Sequence, residues 1–452
     1  MADTKESVDT FKKCYVKHAQ HPTFSTGAIQ VGKEDDKVVK FFAVSAQKDT
    51  TRLISRKSLK SFASVDSKII TFPFPADFEN VSNFAFDINS GKLALARSIS
   101  PKDGKPDVFI EIWQDGVLVK SIKATGKHGP VYEQEGAFGG LSWAADGKRL
   151  LYAAEESRGD PTGYFDAPAK EACDAGQKFV RKEAWGEGMT TVVASTIVIL
   201  DTESEEFLLP LAGRKEAACW GQPVWAPSTH THELVCVGYH ATPRKLGLKF
   251  CLNRHSSIYA VGLDGVVSLL SHPQVAARSP IFSPSGSLLI WLENNVGGPH
   301  ATGSRLMKLA WGPGFGEDGE CSTLSSSIGG PAVVVDVVAD DRAVGVYGQR
   351  LPSSCFISET EIVFTTYHRS TRVAIQVDVG SSVMAPLQHD GLGEAGACVC
   401  DVLCAQQGWI LAVVTSPVQP QSLWLGRADG IHVQWTAATT PRLALEGTTT
   451  NL

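Results

Sequence analysis

The feature that most restricts what this 452-residue chain can fold into is a recurring unit of two hairpins. One unit opens FDINSGKLALAR at Phe86, another LSWAADGKRLLYAAE at Leu141, a third PVWAPSTHTHELVCVGY at Pro223 and a fourth IFSPSGSLLIWLE at Ile281. SCFISETEIVFTTY follows at Ser354, and a weaker CDVLCAQQGWILAVV at Cys400. Each reads as a strand, a polar turn and a strongly apolar second strand. A further hairpin comes after each opening, as in DVFIEIWQDGVLVKSI, TIVILDTESEEFLL, SIYAVGLDGVVSLLS, RVAIQVDVGSSVMAPL and SLWLGRADGIHVQW. Asp-Gly or Gly-Ser at their tips suits tight turns. Two hairpins make a four-stranded antiparallel sheet, and repetition at roughly 45 to 60 residues marks a radial array of such sheets. A degenerate earlier unit spans about Ile29 to Phe72, making seven, and an eighth would fit between Cys321 and Leu351.

A single four-stranded sheet cannot cover two apolar faces, whereas stacking around an axis covers both and protects the strand edges. The expected fold is therefore all-β, a seven- or eight-bladed β-propeller of four-stranded antiparallel blades. An open array of β-sandwiches is the alternative the pattern favours less. The second strands, such as LLIWL and RLLYAA, are expected to be the inner, buried ones. A short N-terminal helix is expected over about residues 4 to 20, where Val8, Phe11, Cys14 and Tyr15 share one face and Asp3 or Thr4 caps the start. The division is then residues 1–22 as a helical segment and residues 23–452 as propeller. A long insertion from Glu156 to Met189 carries Tyr164, Phe165, Phe179 and Trp185, too many aromatics for a wholly disordered loop.

A formal net charge of -6 argues against nucleic acid as a partner, because phosphate backbones require concentrated Lys and Arg. The N-terminal MADTKESVDTFKKCYVKHAQ lacks the apolar core of a signal peptide, and no run approaches the ~18 apolar residues of a membrane span. Cytoplasmic residence without membrane contact is the resulting expectation. Ten cysteines are too sparse for a disulfide framework. Cys398, Cys400 and Cys404 lie close together, but the spacing lacks Cys-x-x-Cys turns and a fourth ligand, so packing is expected in place of a metal. No metal or other cofactor is expected.

Four strings together resemble the propeller of the acylaminoacyl-peptidase family: KHGPVYEQEGAFGGLSW from Lys127 to Trp143, EAWGEGM from Glu183 to Met189, PVWAP from Pro223 to Pro227, and RKLGLKFCLNRHSSIYAV from Arg244 to Val261. The likeness covers most of the chain and weakens toward both ends. That family belongs to the prolyl oligopeptidase group of serine hydrolases, which join an N-terminal propeller to a C-terminal α/β-hydrolase domain. The resemblance implies release of N-acylated amino acids from blocked short peptides, with the propeller controlling access. It also implies that the N-terminal helix packs on the hydrolase domain and that the protein forms homo-oligomers.

The chain departs from that pattern where chemistry would reside. No G-x-S-x-G turn for a serine nucleophile occurs, and SPSGS at Ser283 and GSSVM at Gly380 read as hairpin tips. His368 and His389, close to Asp378 and Asp390 in sequence, mean little without a nucleophile. The hydrolase domain is therefore expected to be absent from this sequence, which reads as a truncated product ending in TTTNL, and its status as an enzyme is left open. No residue is assigned as catalytic. Partners would be the hydrolase domain or a full-length sibling, and a non-catalytic scaffold or partner-binding module is the alternative. The residues that could reach a substrate channel or an interdomain contact are His128, Tyr132, Glu133, Trp185, Arg244 and Arg254. Glu133 either holds a peptide's charged end or an interdomain arginine, or is merely solvated.

Overall fold

The computed structural model describes residues 2–439 except 33–37, 88, 102–105, 135, 158–162, 166–175, 191, 228–231, 313–329, 339–343, 349, 389–398 and 417–418. Helix α1 (Ala2–Ala19) precedes a chain built almost wholly of strands. The first sheet holds β1 (Thr23–Val31), β2 (Val38–Asp49), β3 (Ile54–Val65), β4 (Lys68–Thr71) and β5 (Ala76–Asp77). The second holds β6 (Val81–Phe86), β7 (Leu93–Ile99), β8 (Asp107–Gln114) and β9 (Val117–Lys123). The third holds β10 (Leu141–Trp143), β11 (Arg149–Glu155), β12 (Ser195–Asp201) and β13 (Phe207–Leu208).

An eight-stranded sheet comes next and divides in two. Its halves are β14 (Cys219–Trp225), β15 (Leu234–Tyr239), β16 (Ser256–Val261) and β17 (Val267–Leu269), then β18 (Val275–Phe282), β19 (Leu288–Asn295), β20 (Arg305–Ala310) and β21 (Ala332–Val335). Among the described residues, the one strand pairing that joins them is the parallel pair Ser256 and Ala276. The next sheet has β22 (Glu361–His368), β23 (Thr371–Asp378) and β24 (Val383–Pro386), and a bridge from Phe356 to Ile362 adds an irregular inner strand. The last has β25 (Val399–Gln406), β26 (Trp409–Ser416), β27 (Gln419–Asp429) and β28 (His432–Ala437).

Each hairpin read from the sequence is present as an antiparallel pair, and the polar tips at Ser283 and Gly380 are turns between β18 and β19 and between β23 and β24. Of the stretch from Cys321 to Leu351, where an eighth unit would fit, residues 330–338, 344–348, 350 and 351 are described: β21 pairs with β20 as the outer strand of the fifth unit, and Val346 bridges to Ser304.

The core consists of apolar clusters between neighbouring sheets. Side chains alternate across a strand, so adjacent residues of one second strand serve two interfaces. Leu150 packs toward the second sheet while Leu151 packs toward the fourth unit. Ile290 and Trp291 divide in the same way, as do Ile362 and Val363, and Ile410 and Leu411. This double burial explains why those strands read as unbroken apolar runs. The last cluster joins Leu411 and Val413 to Phe41 and Phe62, returning from the final sheet to the first and closing the ring. The fold is thus a β-propeller. The second strands are buried, as expected, but they are mid-sheet strands and not the innermost ones. The axis is lined by the first strands.

Candidate functional site

The first strands surround an axial channel of about 1070 Å³. Its wall includes Phe24 to Thr26 of β1, Leu141 and Ser142 of β10, Val224 of β14, Ile281 of β18, and Val402 and Leu403 of β25. Several of these strands carry a β-bulge at the wall, between Gly221 and Val224, between Arg278 and Ile281, and between Val402 and Cys404. Bulges turn individual groups out of the ladder. Gln222 and Ser279, inside two of them, take left-handed φ of 50° and 56°. Their redirected amides find new partners: Gln222 N donates to Phe138 O at 2.9 Å, and Ser279 N to Gln222 Oε1 at 2.7 Å. Gln222 Nε2 donates to Ala137 O and to Tyr239 Oη, both at 2.7 Å. The buried bulges thereby tie the fourth and fifth units to the loop of residues 132–140.

Strand registers place the long connections on one face of the ring. Glu155 pairs with Ser195 across the insertion 156–194, Tyr239 with Ser256 across 240–255, and Glu293 with Arg305 across 296–304. On this face a side pocket of about 610 Å³ adjoins the channel, sharing Gln222, Phe250, Leu252 and Arg350 with it. Gly188, Met189 and Val192 of the insertion form part of its wall.

Two groups that no local pattern announces hold this mouth together. Arg350, from the irregular inner strand before β22, reaches across to the loop 134–139. Its Nη1 donates to Gln134 O at 2.7 Å and Gly136 O at 2.6 Å, and its Nη2 to Gly139 O at 3.2 Å. Glu155, at the end of β11, accepts from Ala194 N at 2.9 Å and Val193 N at 3.2 Å, and from the Tyr132 hydroxyl. Beside Arg350 lies Arg278, whose Nη2 donates to Ser304 Oγ at 2.7 Å and Gly348 O at 3.0 Å. Burial, and after it the nearby Arg350 charge, pulls Arg278 down to about 10. In the same unit as Arg350, Arg372 of β23 pairs with Asp401 of β25 at 2.6 Å, bridging the last two sheets. Burial raises the Asp401 carboxyl and Arg372 opposes that rise.

Tyr132, Glu133 and Arg254 all line the side pocket. Glu133 is exposed there, and its carbonyl lies so close to Gly139 that a Cβ at that glycine would overlap it. Trp185 is 1% exposed and sits beneath the pocket, against Phe138 and Tyr239, with Nε1 donating to Cys219 Sγ at 3.1 Å. His128 is placed elsewhere. It is buried between the second and third sheets, with Nε2 at 2.7 Å from Tyr152 Oη and Nδ1 at 2.7 Å from Gly129 O. Arg244 is exposed and lines neither cavity. Cys400 and Cys404 are both buried, facing different neighbouring sheets, while Cys398, His389 and Asp390 lie outside the described residues.

Residues 4–440 match the family described as "Acylamino-acid-releasing enzyme, N-terminal domain". Among curated relatives, the human acylamino-acid-releasing enzyme is 30% identical over 357 residues, covering 74% of this chain and 46% of the relative. The Arabidopsis thaliana acylamino-acid-releasing enzyme is 29% identical over 386 residues, covering 78% and 48%. The chain therefore spans about half the length of the relatives it matches. Among solved structures, an acylaminoacyl peptidase in complex with Z-Gly-Gly-Phe-chloromethyl ketone superposes with a TM-score of 0.55 at 14% identity, over 94% of this chain and 53% of that one. The uncomplexed Pyrococcus horikoshii acylaminoacyl peptidase gives a TM-score of 0.53 at 12% identity, over 94% and 53%. At these identities the structural likeness concerns the fold.

Proposed function

Because this chain belongs to the family of the acylamino-acid-releasing enzyme N-terminal domain, we propose that it is the gating propeller of a cytoplasmic, serine-type peptidase that acts on short N-acylated peptides. The chemistry is supplied by a hydrolase domain, in the same protein or in an associated sibling chain, and this propeller alone has no turnover. The lack of any G-x-S-x-G turn in these 452 residues supports that division of labour.

The observation that carries the reading is the axial channel with its adjoining side pocket. A cavity of about 1070 Å³ is on the scale that encloses a small ligand or short peptide, and a folded domain cannot enter it. The character of its wall suits the substrate class. Acylation removes a peptide's amino-terminal charge and leaves its carboxylate, so a short neutral-sequence peptide is a net anion. The described channel wall carries Arg350, Arg369 and Arg372 against Asp401, an excess of positive charge that favours entry of such an anion.

Two measurements test this. Acetyl-alanyl p-nitroanilide incubated with the purified chain is expected to give no hydrolysis; turnover abolished by a serine-directed inhibitor would overturn the assignment of chemistry to another domain. Acetyl-trialanine with a free carboxylate is expected to bind more tightly than its C-terminal amide, with an advantage that shrinks at high salt. Equal binding of acid and amide, or none by either, refutes the channel reading and leaves a non-catalytic scaffold.

A further inference from the structure

The string CLNRHS, from Cys251 to Ser256, lies where the channel meets the side pocket, and its cysteine has no part in the proposed gating. Cys251 Sγ is 2.7 Å from Nδ1 of His300, and the Arg254 guanidinium donates to the same sulfur at 3.4 Å. Cys251 lines the side pocket, and His300 lines the channel. The thiol is partly exposed, whereas most other described cysteines are buried.

This constellation is held rigidly. The Asn253 side chain, 1% exposed, donates through Nδ2 to three successive carbonyls, Gly297 and Gly298 at 2.8 Å and Pro299 at 3.1 Å. Gly297 N returns a bond to Asn253 O at 2.9 Å. Gly297 and Gly298 take φ of 80° and 79°, a left-handed pair that glycine adopts without strain. The turn therefore delivers His300 to Cys251 in a fixed position. A thiol with a base in hydrogen-bonding reach and a cation beside the sulfur is the arrangement that activates a cysteine nucleophile.

We propose that Cys251 is a modification site for hydroperoxides. Sγ attacks the outer peroxide oxygen, the S–O bond forms as the O–O bond breaks, and the product is a sulfenic acid. Sulfur loses two electrons and the peroxide gains them. His300 Nδ1 accepts the thiol proton and returns it to the departing oxygen, which leaves as water from hydrogen peroxide or as an alcohol from an organic hydroperoxide. Arg254 spreads the negative charge that develops on sulfur. The added oxygen sits on the wall where the two cavities join.

The test exposes the intact chain to hydrogen peroxide, traps sulfenic acid with dimedone and reads each cysteine by peptide mass spectrometry. Cys14, exposed on α1, is the internal reference. Cys251 is expected to react on the order of 10-fold faster than Cys14 at pH 7. His300→Ala is expected to bring it to the Cys14 rate. His300→Gln keeps a hydrogen-bonding group in the turn without the base, and is expected to do the same. Arg254→Gln is expected to slow the reaction several-fold. A Cys251 rate no higher than that of Cys14 overturns the proposal, as does a His300→Gln chain that reacts as fast as the parent.

Discussion

His240 and His255 stack with ring centroids 4.0 Å apart, and both resist protonation. Burial, then the neighbouring His255, lowers His240 to about 4, and burial lowers His255 and His128 as well. In the unfolded chain these imidazoles protonate near 6.5. Between that value and the lower folded ones, the unfolded state holds more protons, so acid favours unfolding. The contribution of His240 is complete above pH 6.5 and is lost as pH falls toward about 4, and those of His255 and His128 are lost in the same direction below 6.5. Carboxylates with lowered values, such as Asp201 and Asp378, act only below their ordinary 3.8. The urea midpoint is thus expected to drop between pH 7 and pH 5, and His240→Gln, which keeps a polar partner for Ser257, is expected to reduce that drop. An unchanged drop in the variant would show that His240 is not a source of the acid sensitivity. None of these histidine environments is legible in sequence. Lys127 to Tyr132 reads as one polar loop, yet His128 turns into the core to meet Tyr152 while Tyr132 turns out to the pocket. Arg350 is equally silent, because its partners are backbone carbonyls more than two hundred residues away.

At the scale of elements, strands were legible because alternation and turn chemistry are local. What was not legible is parity across a bulge. Alternation alone would put Cys400 and Cys404 on one face of β25, but the bulge between Val402 and Cys404 sends them to different neighbours. The sequence pattern marks the inner strand before β22 only from Ser354, because its earlier part leaves regular pairing to carry Arg350 into the mouth. Helix α1, expected over about residues 4 to 20, spans Ala2–Ala19. Val8, Phe11 and Tyr15 are 48%, 70% and 64% exposed, so their apolar surface meets solvent in this chain. Exposed apolar patches promote self-association. Deleting residues 1–22 is expected to raise the soluble fraction and reduce light scattering at a given concentration. Unchanged or worse solubility would mean that the helix face is not the source of association.

At the scale of the molecule, the ring closes by side-chain packing between its first and last sheets, which share no strand among the described residues. Such closure depends on how closely two sheets can approach, and Gly27 of β1 sets that distance. A Cβ at position 27 would lie 2.5 Å from Leu411 Cδ2 and 3.0 Å from Phe42 O. Leu411 is fully buried beside Phe41 and Phe62. Gly27→Val therefore drives a branched side chain into the closing interface, at a cost of about 1–3 kcal/mol for overpacking. Leu411→Ala alone opens a cavity, typically costing ~2–5 kcal/mol. If the two positions meet across the closure, the valine fills part of that cavity and the double variant loses less stability than the sum of the singles. Chemical denaturation of the four chains measures this coupling. Strict additivity would mean that residues 27 and 411 do not touch, and the ring would then have to close elsewhere or stand open. Coupling, by contrast, would tie the stability of the whole ring to one glycine whose importance no local reading of TFSTGAIQV reveals.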